Sequence, residues 1–382
     1  MRVLILGGDG YLGWPTAMAL SEAGYDVALV DNYFRRNACV ERDLPPIFPL
    51  LTLHERVALW QQLTGRSIQV TIGDITNFDL LERVFQTFKP EAVIDYAEQP
   101  SAPYSMLGPR EAHFTVRNNL CGTLNLIHAV KRHAPDCHII KLGTMGEYGT
   151  PNIDIEEGWL EVEHKGRREK FLYPRQAGSL YHTTKIQDTD MLWFYVRTWG
   201  MRVTDLMQGP VYGMITPQIR RDDRLATCTN YDEIFGTVLN RFLVQAVVGM
   251  PLTVYGKGQQ TRGYLNLIDT IACIRLAIDH PAAAGELRIM NQFTETMSVN
   301  EIAARVCQAA GQMGLNPTVN HLVNPRKEAE EHYYNPTHNK LTALGLQPHL
   351  LTDAVLMEQL AFIQRYRARI RDDIILPRTT WA

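Results

Sequence analysis

The chain has 382 residues, of which 45% are hydrophobic and 21% are charged, as in a globular protein with a large core. Lys and Arg number 38 and Asp and Glu 41, so the formal net charge of −3 argues against the basic surface that nucleic acids and anionic membranes require. The six cysteines stand singly, without a disulfide framework or a zinc-type Cys/His spacing, and no apolar run approaches the ~20 residues of a membrane span. The chain begins directly with a strand-like segment. We therefore expect a soluble, cytoplasmic protein without a metal site.

Short β-branched segments alternate with longer helical patterns over the first half of the chain. In chain order the pattern predicts strand 2–6, helix 11–23, strand 27–31, helix 51–63, strand 67–72, helix 77–88, strand 92–96, helix 110–133 and strand 138–142. Strands separated by helices form right-handed crossovers and a parallel sheet that is covered on both faces. The predicted fold class is therefore α/β, a Rossmann-type doubly wound parallel sheet.

The remainder of the chain is less regular. Residues 32–66 and 150–179 are insertions, the second of them predicted as a loop or hairpin. Further helices are predicted at 232–248, 268–279, 298–312 and 351–371. We expect a nucleotide-binding domain of residues 1–207, to which 260–285 return, and a smaller, discontinuous C-terminal substrate domain of residues 208–259 and 286–382.

A glycine-rich segment follows the first predicted strand and opens the first predicted helix. Its residues Gly7, Gly10 and Gly13 form a G-x-x-G-x-x-G pattern. Such glycines permit a tight turn, a close approach of pyrophosphate to the backbone and close packing of helix on strand, and the phosphates bind at the helix N-terminus. Asp31 ends the second strand, where a carboxylate binds the adenosine ribose hydroxyls and repels a 2′-phosphate. The pattern predicts a dinucleotide site with NAD as its cofactor.

Residues near this pattern extend the prediction. Arg35 and Arg36, just beyond Asp31, leave NADP open as a minority alternative. Asp74 and Ile75 follow the third strand and suit a cap over the adenine, although an Asp that caps the next helix is an equally good interpretation. The predicted cofactor contacts in this region are Gly7, Asp9, Gly10, Tyr11, Leu12, Gly13, Asp31, Asn32, Arg35, Asp74 and Ile75.

Tyr181 and Lys185 are four residues apart and therefore lie on one face of a predicted helix. Lys185 would lower the pKa of Tyr181 electrostatically and hold the nicotinamide ribose. Tyr181 would then take the proton from a substrate hydroxyl as hydride leaves the same carbon, with Thr144 hydrogen-bonded to that oxygen. The alternative is a buried tyrosine beside a lysine that extends along the surface.

Together these residues resemble the extended short-chain dehydrogenase/reductase family, whose members act mostly on nucleotide sugars. The resemblance spans nearly the whole chain. Within the family the chain is most similar to the branch that makes UDP-sulfoquinovose, and the longest matching segment runs from Leu142 to Gly158. The other matching segments are 7–14, 98–106, 181–182, 205–213, 251–256, 260–262 and 330–335.

The resemblance implies that UDP-glucose and sulfite are converted to UDP-sulfoquinovose, the head-group donor of sulfolipid. Bound NAD+ would oxidise C4 of the glucose, which acidifies the C5 proton; the 6-hydroxyl is then lost, sulfite adds at C6, and C4 is reduced again. Two alternatives remain. One is a UDP-sugar 4-epimerase or dehydratase that uses no sulfite, and the other is a non-catalytic NAD-binding scaffold, against which the intact Thr144, Tyr181 and Lys185 set argues.

The resemblance also implies a homodimer through helices 110–133 and 181–199, although their apolar residues fit a sheet-facing side equally well.

Related 4,6-dehydratases carry an Asp-Glu pair after the strand-end threonine, and the matching residues here are Met145 and Gly146. The acid/base work is therefore assigned to Glu147 and His182, for C5 proton removal, leaving-group protonation or sulfite handling. The structural alternatives are a carboxylate buried in a turn and a ring packed beside the helix. Where plant and cyanobacterial members carry an arginine, this sequence has Pro100, so either sulfite is not the nucleophile or another group, such as His182, supplies the positive charge.

The nucleotide end of the substrate requires phosphate ligands. Arg262 and Arg326 are predicted to clamp the diphosphate, because guanidinium groups bind phosphate oxygens bidentately. Arg241 is a weaker candidate, since Arg in a helix often covers core residues. Gln208 would bind the sugar or diphosphate, and Val254 and Tyr255 would line the uracil pocket, with strand core as the alternative for Val254. The predicted substrate contacts are Gln99, Thr144, Gln208, Arg241, Val254, Tyr255, Arg262 and Arg326.

Overall fold

The structure, a computed structural model, describes residues 1–325 and 333–377. Its strands, in chain order, are β1 Arg2–Leu6, β2 Asp26–Asp31, β3 Ile68–Ile72, β4 Ala92–Asp95, β5 His138–Thr144, β6 Trp159–His164, β7 Arg167–Leu172, β8 Arg202–Gln208, β9 Val211–Tyr212, β10 Leu252–Tyr255, β11 Thr261–Asn266, β12 Leu287–Gln292, β13 Glu295–Ser298 and β14 Val319–Leu322.

Helices connect and cover these strands. In chain order they are α1 Gly13–Glu22, α2 Phe34–Glu41, α3 Leu53–Thr64, α4 Phe78–Phe88, α5 Ala102–Ser105, α6 Pro109–Val116, α7 Gly122–His133, α8 Leu180–Trp199, α9 Val238–Val248, α10 Leu267–Asp279, α11 Val299–Gln312, α12 Asn339–Ala343 and α13 Asp353–Gln364. A π-helical segment, Arg117–Cys121, joins α6 to α7 without a break.

The core of the molecule is a seven-stranded, fully parallel sheet in the order β3–β2–β1–β4–β5–β8–β12. Strand β1 lies near its centre, and the side chains from Val3 to Leu6 are fully buried because helices cover both faces. The order of strands reverses between β1 and β4. In doubly wound sheets ligands bind at this switch point, beyond the carboxyl ends of the strands. The predicted fold class is confirmed.

Local sequence explains where several helices begin. Thr52 and Glu55 form a capping box at the start of α3, in which each side chain accepts a hydrogen bond from the other residue's backbone N–H. Ser179 caps α8, the helix that carries the Tyr-x-x-x-Lys pair, by accepting from the backbone N–H of His182 at 3.2 Å. This cap fixes the first turn of α8, on which Tyr181 lies.

The C-terminal part is built from smaller sheets and three mutually packed helices. Strands β13, β11 and β9 form one sheet, β10 and β14 form a second, and α9, α11 and α13 pack against one another. Strand β12, which the sequence analysis assigned to the smaller domain, pairs with β8 at the edge of the central sheet. Helix α10 packs on helix α1 and on strand β5 of the central sheet, whereas β11 pairs with β9 and belongs to the smaller part.

Several predicted boundaries differ from those in the structure, and hydrogen bonds explain the first of these differences. Helix 232–248 begins only at Val238, because the Asp232 carboxylate accepts the backbone N–H groups of Ile234 and Phe235, each at 2.9 Å, and makes a turn. The last predicted helix ends at Gln364 rather than at residue 371. The insertion 150–179 forms the hairpin β6–β7.

No helix in the described ranges 1–325 and 333–377 is long and apolar enough to cross a membrane.

Candidate functional site

A cavity of about 730 Å³ opens beyond the carboxyl ends of the central strands. The glycine turn forms one end of its wall, Thr144 and Tyr181 lie along it, and Arg241 and Arg262 of the C-terminal part line the other end. A groove of this size between two parts of an α/β protein is suited to a dinucleotide together with a second, smaller molecule.

The glycine turn is built so that a ligand can approach its backbone. Gly7 has a φ of +85°, and a Cβ there would lie 2.7 Å from the carbonyl carbon of Tyr96. A Cβ on Gly13 would lie 2.0 Å from the carbonyl oxygen of Gly7, so only glycine allows α1 to start this close to β1. Gly10, Tyr11 and the start of α1 line the cavity. This cradle fits a pyrophosphate group at a helix N-terminus, as NAD requires.

Asp31 ends β2 and lines the cavity, as do Asn32 and Arg35. Its two oxygens accept the backbone N–H groups of Asp9 at 2.8 Å and Tyr33 at 2.7 Å. Burial and the charge of Asp9 raise the pKa of Asp31 to about 6. Both oxygens retain lone pairs that can accept hydrogen bonds from the hydroxyl groups of an adenosine ribose.

Two of the predicted adenosine contacts, Asp74 and Ile75, differ in whether they line the cavity. Ile75 lines the cavity, whereas the carboxylate of Asp74 lies in its own turn, where it accepts the backbone N–H of Thr76 at 2.8 Å and the amide of Asn32 at 3.1 Å. Arg35 stacks over the ring of Phe235 at 4.2 Å and donates to Asn230 at 3.2 Å. Asp74 therefore orients Asn32, and Arg35 joins the cavity wall to the C-terminal part.

The Asp9 carboxylate is paired with two arginine side chains. Arg36 binds it with two nitrogens at 2.6 and 2.7 Å, and the fully buried Arg56 binds it from α3. Asp9 therefore acts through its backbone, which donates to Asp31, and its side chain links the turn to the inserted helices α2 and α3.

The predicted reactive residues meet at the end of β5. Thr144 is the last residue of that strand and Tyr181 lies in the first turn of α8, and both line the cavity. The Thr144 hydroxyl accepts the backbone N–H of Gly146 at 3.1 Å, which orients it. Burial, followed by the charges of Glu98 and Glu147, raises the pKa of Tyr181. A tyrosine base here therefore needs positive charge beside it.

Lys185 is the predicted source of that positive charge, and its ammonium is buried in the wall behind the cavity. It lies 2.7 Å from the Glu98 carboxylate and 3.6 Å from Asp188. Glu98 itself lines the cavity but was not among the predicted site residues. The sequence signal for it was a carboxylate three residues beyond the end of the apolar strand β4, because the carboxyl ends of the strands form the ligand crevice.

The two proposed acid/base residues occupy different environments. Glu147 is completely buried, does not line the cavity, and accepts the Thr144 backbone N–H at 3.2 Å. Burial and the neighbouring Asp205 raise the pKa of Glu147. His182 lines the cavity, its Nδ1 lies 3.1 Å from Ser179 Oγ, and its ring centroid is 5.1 Å from that of Tyr181. Of the two, His182 is placed to meet a substrate.

Three of the predicted nucleotide contacts line the far end of the cavity. Arg241 donates to the Tyr255 hydroxyl at 2.7 Å and lies over its ring at 4.3 Å, and Arg262 lies on the neighbouring strand β11. Gln208 also lines the cavity, beside Thr144 in the sheet, with its amide donating to Gln292 at 3.1 Å. Two guanidinium groups and a tyrosine at one end are suited to a nucleoside diphosphate.

The remaining predicted contacts lie elsewhere. Val254 is fully buried in β10 and does not line the cavity, as the strand-core interpretation holds. Gln99 is also fully buried, and its amide donates to Ser101 and Thr115 at 3.0 and 2.9 Å, so it shapes the loop after β4. Arg326 lies outside the described residues.

Comparisons with known proteins identify the family of the chain. The family model for the NAD dependent epimerase/dehydratase family matches residues 3–291. The chain is 49% identical to a chloroplastic UDP-sulfoquinovose synthase of Spinacia oleracea over 380 residues, which are 100% of this chain and 79% of the spinach protein. It is 44% identical to a UDP-sulfoquinovose synthase of Sulfolobus acidocaldarius, covering 100% of this chain and 98% of that protein.

Solved structures show a similar fold. The UDP-glucose 4-epimerase of Thermotoga maritima, crystallised with UDP-glucose, superposes with a TM-score of 0.71 at 20% identity and covers 96% of this chain and 99% of its own. The family match extends over most of the chain and includes the glycine turn and the residues Thr144, Tyr181 and Lys185. The chain therefore belongs to the NAD dependent epimerase/dehydratase family.

Proposed function

We propose that the chain catalyses the reaction of a UDP-sulfoquinovose synthase, in which UDP-glucose and sulfite give UDP-sulfoquinovose. The observation that carries this proposal is the similarity to two such synthases, at 49% and 44% identity, across the whole chain. The cavity supports it, because its wall contains a dinucleotide turn, a Thr144 and Tyr181 pair and two arginines for a diphosphate.

The residues divide the work along the cavity. The glycine turn and Asp31 would hold NAD, and the chemistry that NAD supplies when bound is reversible hydride transfer at C4 of the sugar. Tyr181 takes the proton of the C4 hydroxyl at its phenolic oxygen, and the oriented Thr144 hydroxyl binds the same substrate oxygen. Arg241 and Arg262 hold the diphosphate, so that the sugar lies at Tyr181.

The sulfur chemistry balances without another oxidant. Oxidation at C4 makes the C5 proton acidic, the C6–O bond breaks with loss of water, and sulfite forms a C6–S bond before C4 is reduced again. His182 is the cavity residue we assign to proton transfer at C6 and to sulfite, because its protonated imidazole also supplies positive charge where Pro100 supplies none. Glu147 is buried behind Thr144, and we assign it to holding the strand end.

We further propose a cytoplasmic homodimer whose product serves as a head-group donor for sulfolipid. All six cysteines, which lie in the described part of the chain, are free of disulfides, and such cysteine usage is usual in a reducing compartment. Helices α7 and α8 present aromatic side chains that would pair across a two-fold axis.

The test is mass spectrometry of the products that the purified protein forms from UDP-glucose, with and without sulfite. We expect a UDP-hexose sulfonate only when sulfite is present. Tyr181→Phe should lower its formation by at least about 10²-fold, because the general base is lost. Tyr173→Phe is the matched control, since Tyr173 is a buried tyrosine outside the cavity that donates to the Asp154 carbonyl; it should retain turnover.

Two results would contradict the proposal. Turnover of UDP-glucose to an isomer or a keto sugar without sulfite incorporation would identify a 4-epimerase or dehydratase. No turnover of a protein that binds NAD would indicate a scaffold or a different substrate.

A further inference from the structure

A group of five charged residues lies behind the reactive tyrosine. Its members come from the end of β4 and the loop after it, from β5 and from α8, and we call it the Lys141 cluster: Asp95, Glu98, Lys141, Lys185 and Asp188. Asp95, Lys141, Lys185 and Asp188 are buried, and the side chain of Glu98 is 7% exposed at the cavity wall. Isolated charges are costly in a protein interior, so such a cluster persists only where each charge is paired.

Glu98 is the member that joins the cluster to the catalytic centre. One of its oxygens lies 2.7 Å from the Lys185 ammonium and also contacts that of Lys141. Lys141 is held in turn by Asp95 at 2.9 Å, Asp188 at 3.4 Å and the Thr123 hydroxyl at 2.8 Å. Glu98 is also the member that lines the cavity.

The protonation of the cluster follows from its charges. Burial alone would raise the pKa of Glu98, but the two ammonium groups hold the pKa below its usual range. Burial and the adjacent Glu98 raise the pKa of Asp188. The two ammonium groups therefore lie among three carboxyl groups, those of Asp95, Glu98 and Asp188.

We propose that Glu98 is a positioning residue of the catalytic centre: it fixes the Lys185 ammonium behind Tyr181 and, together with Lys141, sets how much positive charge reaches the phenol. The proposal rests on the assignment of Tyr181 as the base in the proposed function. It assigns a role to a residue that contacts the lysine rather than the reacting atoms.

The charge of Glu98 opposes the ionisation of Tyr181. The titratable groups that face Tyr181 are Glu98 from the loop after β4, Lys141 from β5, Glu147 from the turn after it, and His182, Lys185 and Asp188 from α8. Burial contributes most to the raised pKa of Tyr181 and Glu98 comes next, while Lys141 lowers it. Removing the negative charge at residue 98 should therefore make Tyr181 ionise at lower pH.

The test titrates Tyr181 directly in the NAD-bound protein, without sugar substrate. Tyrosinate ultraviolet absorbance is followed against pH, and the same titration of Tyr181→Phe is subtracted in each background. In Glu98→Gln we expect the Tyr181 transition to move down by about one to two pH units, the usual effect of one nearby charge. The pH profile of turnover should move by the same amount.

Matched variants separate this effect from a loss of structure. Asp188→Asn removes a carboxyl group that raises the pKa of Tyr181 less than Glu98 does, so it should move the transition down by less than Glu98→Gln does. The double variant Glu98→Gln/Asp188→Asn prevents Asp188 from ionising in place of Glu98 and should shift at least as far as Glu98→Gln. Glu98→Asp keeps the charge and should restore the wild-type transition.

Two outcomes would overturn the proposal: an unchanged Tyr181 transition in folded Glu98→Gln, or a transition that moves up. If Glu98→Gln does not fold, Glu98→Gln/Lys141→Met removes one charge of each sign and should give a smaller downward shift, because Glu98 acts on Tyr181 more strongly than Lys141 does. An unshifted transition there would equally contradict the proposal. Because the titration uses no UDP-glucose or sulfite, a failed product assay would leave this result intact.

Discussion

At the scale of single residues, the absence of a side chain at position 146 determines where His182 lies. A Cβ on Gly146 would be 2.3 Å from Nε2 of His182, so the imidazole occupies the space that a side chain at 146 would fill. The dehydratases that the chain resembles carry the glutamate of their Asp-Glu pair at this position. The histidine of α8 is therefore placed where an acid/base group from the strand end would otherwise stand.

Gly146→Ala should displace the imidazole while leaving the fold intact, because the atoms it meets are the far end of a side chain and not backbone. We expect sulfonate formation to fall by about 10²-fold, the usual contribution of a general acid or base. Oxidation at C4 should continue, since Thr144 and Tyr181 are unchanged. The measurements are sulfonate by mass spectrometry and the absorbance of reduced nicotinamide after addition of UDP-glucose.

Gly178→Ala is the control for this prediction, since a Cβ there would lie 3.9 Å from Nδ1 of the same His182, an ordinary contact. That variant should keep most of the sulfonate activity. Equal losses in the two variants, or a parallel loss of C4 oxidation in Gly146→Ala, would argue against a role of His182 in the steps at C6.

At the scale of elements, the insertion between β2 and β3 is tied to the cofactor turn. Helix α3 contributes Arg56, which is fully buried, contacts the Asp9 carboxylate and lies 4.8 Å from the ring of Trp14. Helix α2 contributes Arg36 to the same carboxylate. The inserted helices therefore hold the turn that the cofactor occupies, in addition to filling the side of the core.

Arg56→Ala should lower the free energy of unfolding by about 3–5 kcal/mol, because breaking a buried ion pair leaves a carboxylate without one of its partners and opens a cavity. Denaturant titration measures the change, and a fluorescence titration should show weaker binding of NAD. Arg66→Ala is the control, since Arg66 is exposed just beyond the same helix, and its stability should change by no more than about 0.5 kcal/mol. Equal stability of the two variants would refute this account of the insertion.

The sequence predicts some elements of the sheet and not others, for a physical reason. β1, β2 and β4 contain continuous apolar or β-branched runs, as strands buried on both faces must. β8 and β12 were not predicted, because Asp205 interrupts the first and Asn291 and Gln292 end the second. These polar residues are tolerated in the interior because distant groups satisfy them: Thr189 donates to Asp205 at 2.7 Å, and Tyr148 donates to Asn291 at 2.9 Å.

The candidate site also contains residues that the sequence predicts and residues that it does not. The glycine turn and the pair of Tyr181 and Lys185 depend on spacing within one segment, so a sequence pattern can predict that they belong together. The significance of Glu98 depends on Lys141 and Lys185, which come from two other elements. No local sequence pattern indicates that Glu98, Lys141 and Lys185 lie together, so only the folded chain shows it.

At the scale of the whole molecule, the cavity is closed by contacts between the two parts of the chain. The hydroxyl of Tyr11 donates to the carbonyl of Gly213, the Trp14 indole donates to the Leu225 carbonyl at 2.9 Å, and Thr227 donates to the Tyr11 carbonyl at 2.8 Å. The segment after β9 therefore packs on the glycine turn itself. These hydrogen bonds join the C-terminal part directly to the glycine turn and to the start of α1.

The outer face of α7 and α8 carries a cluster of rings that the rest of the fold does not cover fully. Phe194 is 52% exposed and contacts Tyr195, which in turn contacts Trp199 and His128; the ring centroids of these pairs, which meet edge-on or tilted, are 4.3 to 5.7 Å apart. Partly exposed rings grouped on one surface are characteristic of protein interfaces. This face lies on the helices that the sequence analysis assigned to a homodimer.

If this face forms the dimer, the protein should have twice the 43.4 kDa chain mass in light scattering, and Phe194→Asp should reduce it to that of one chain, because a buried carboxylate at a two-fold interface has no partner. Phe171→Asp is the matched control: Phe171 is 50% exposed on strand β7 of the hairpin rather than on α7 or α8, and its replacement should leave the mass unchanged. A monomeric wild-type mass would refute the dimer. A dimer that survives Phe194→Asp but not Phe171→Asp would place the interface on the hairpin instead, so that insertion 150–179 would join the subunits.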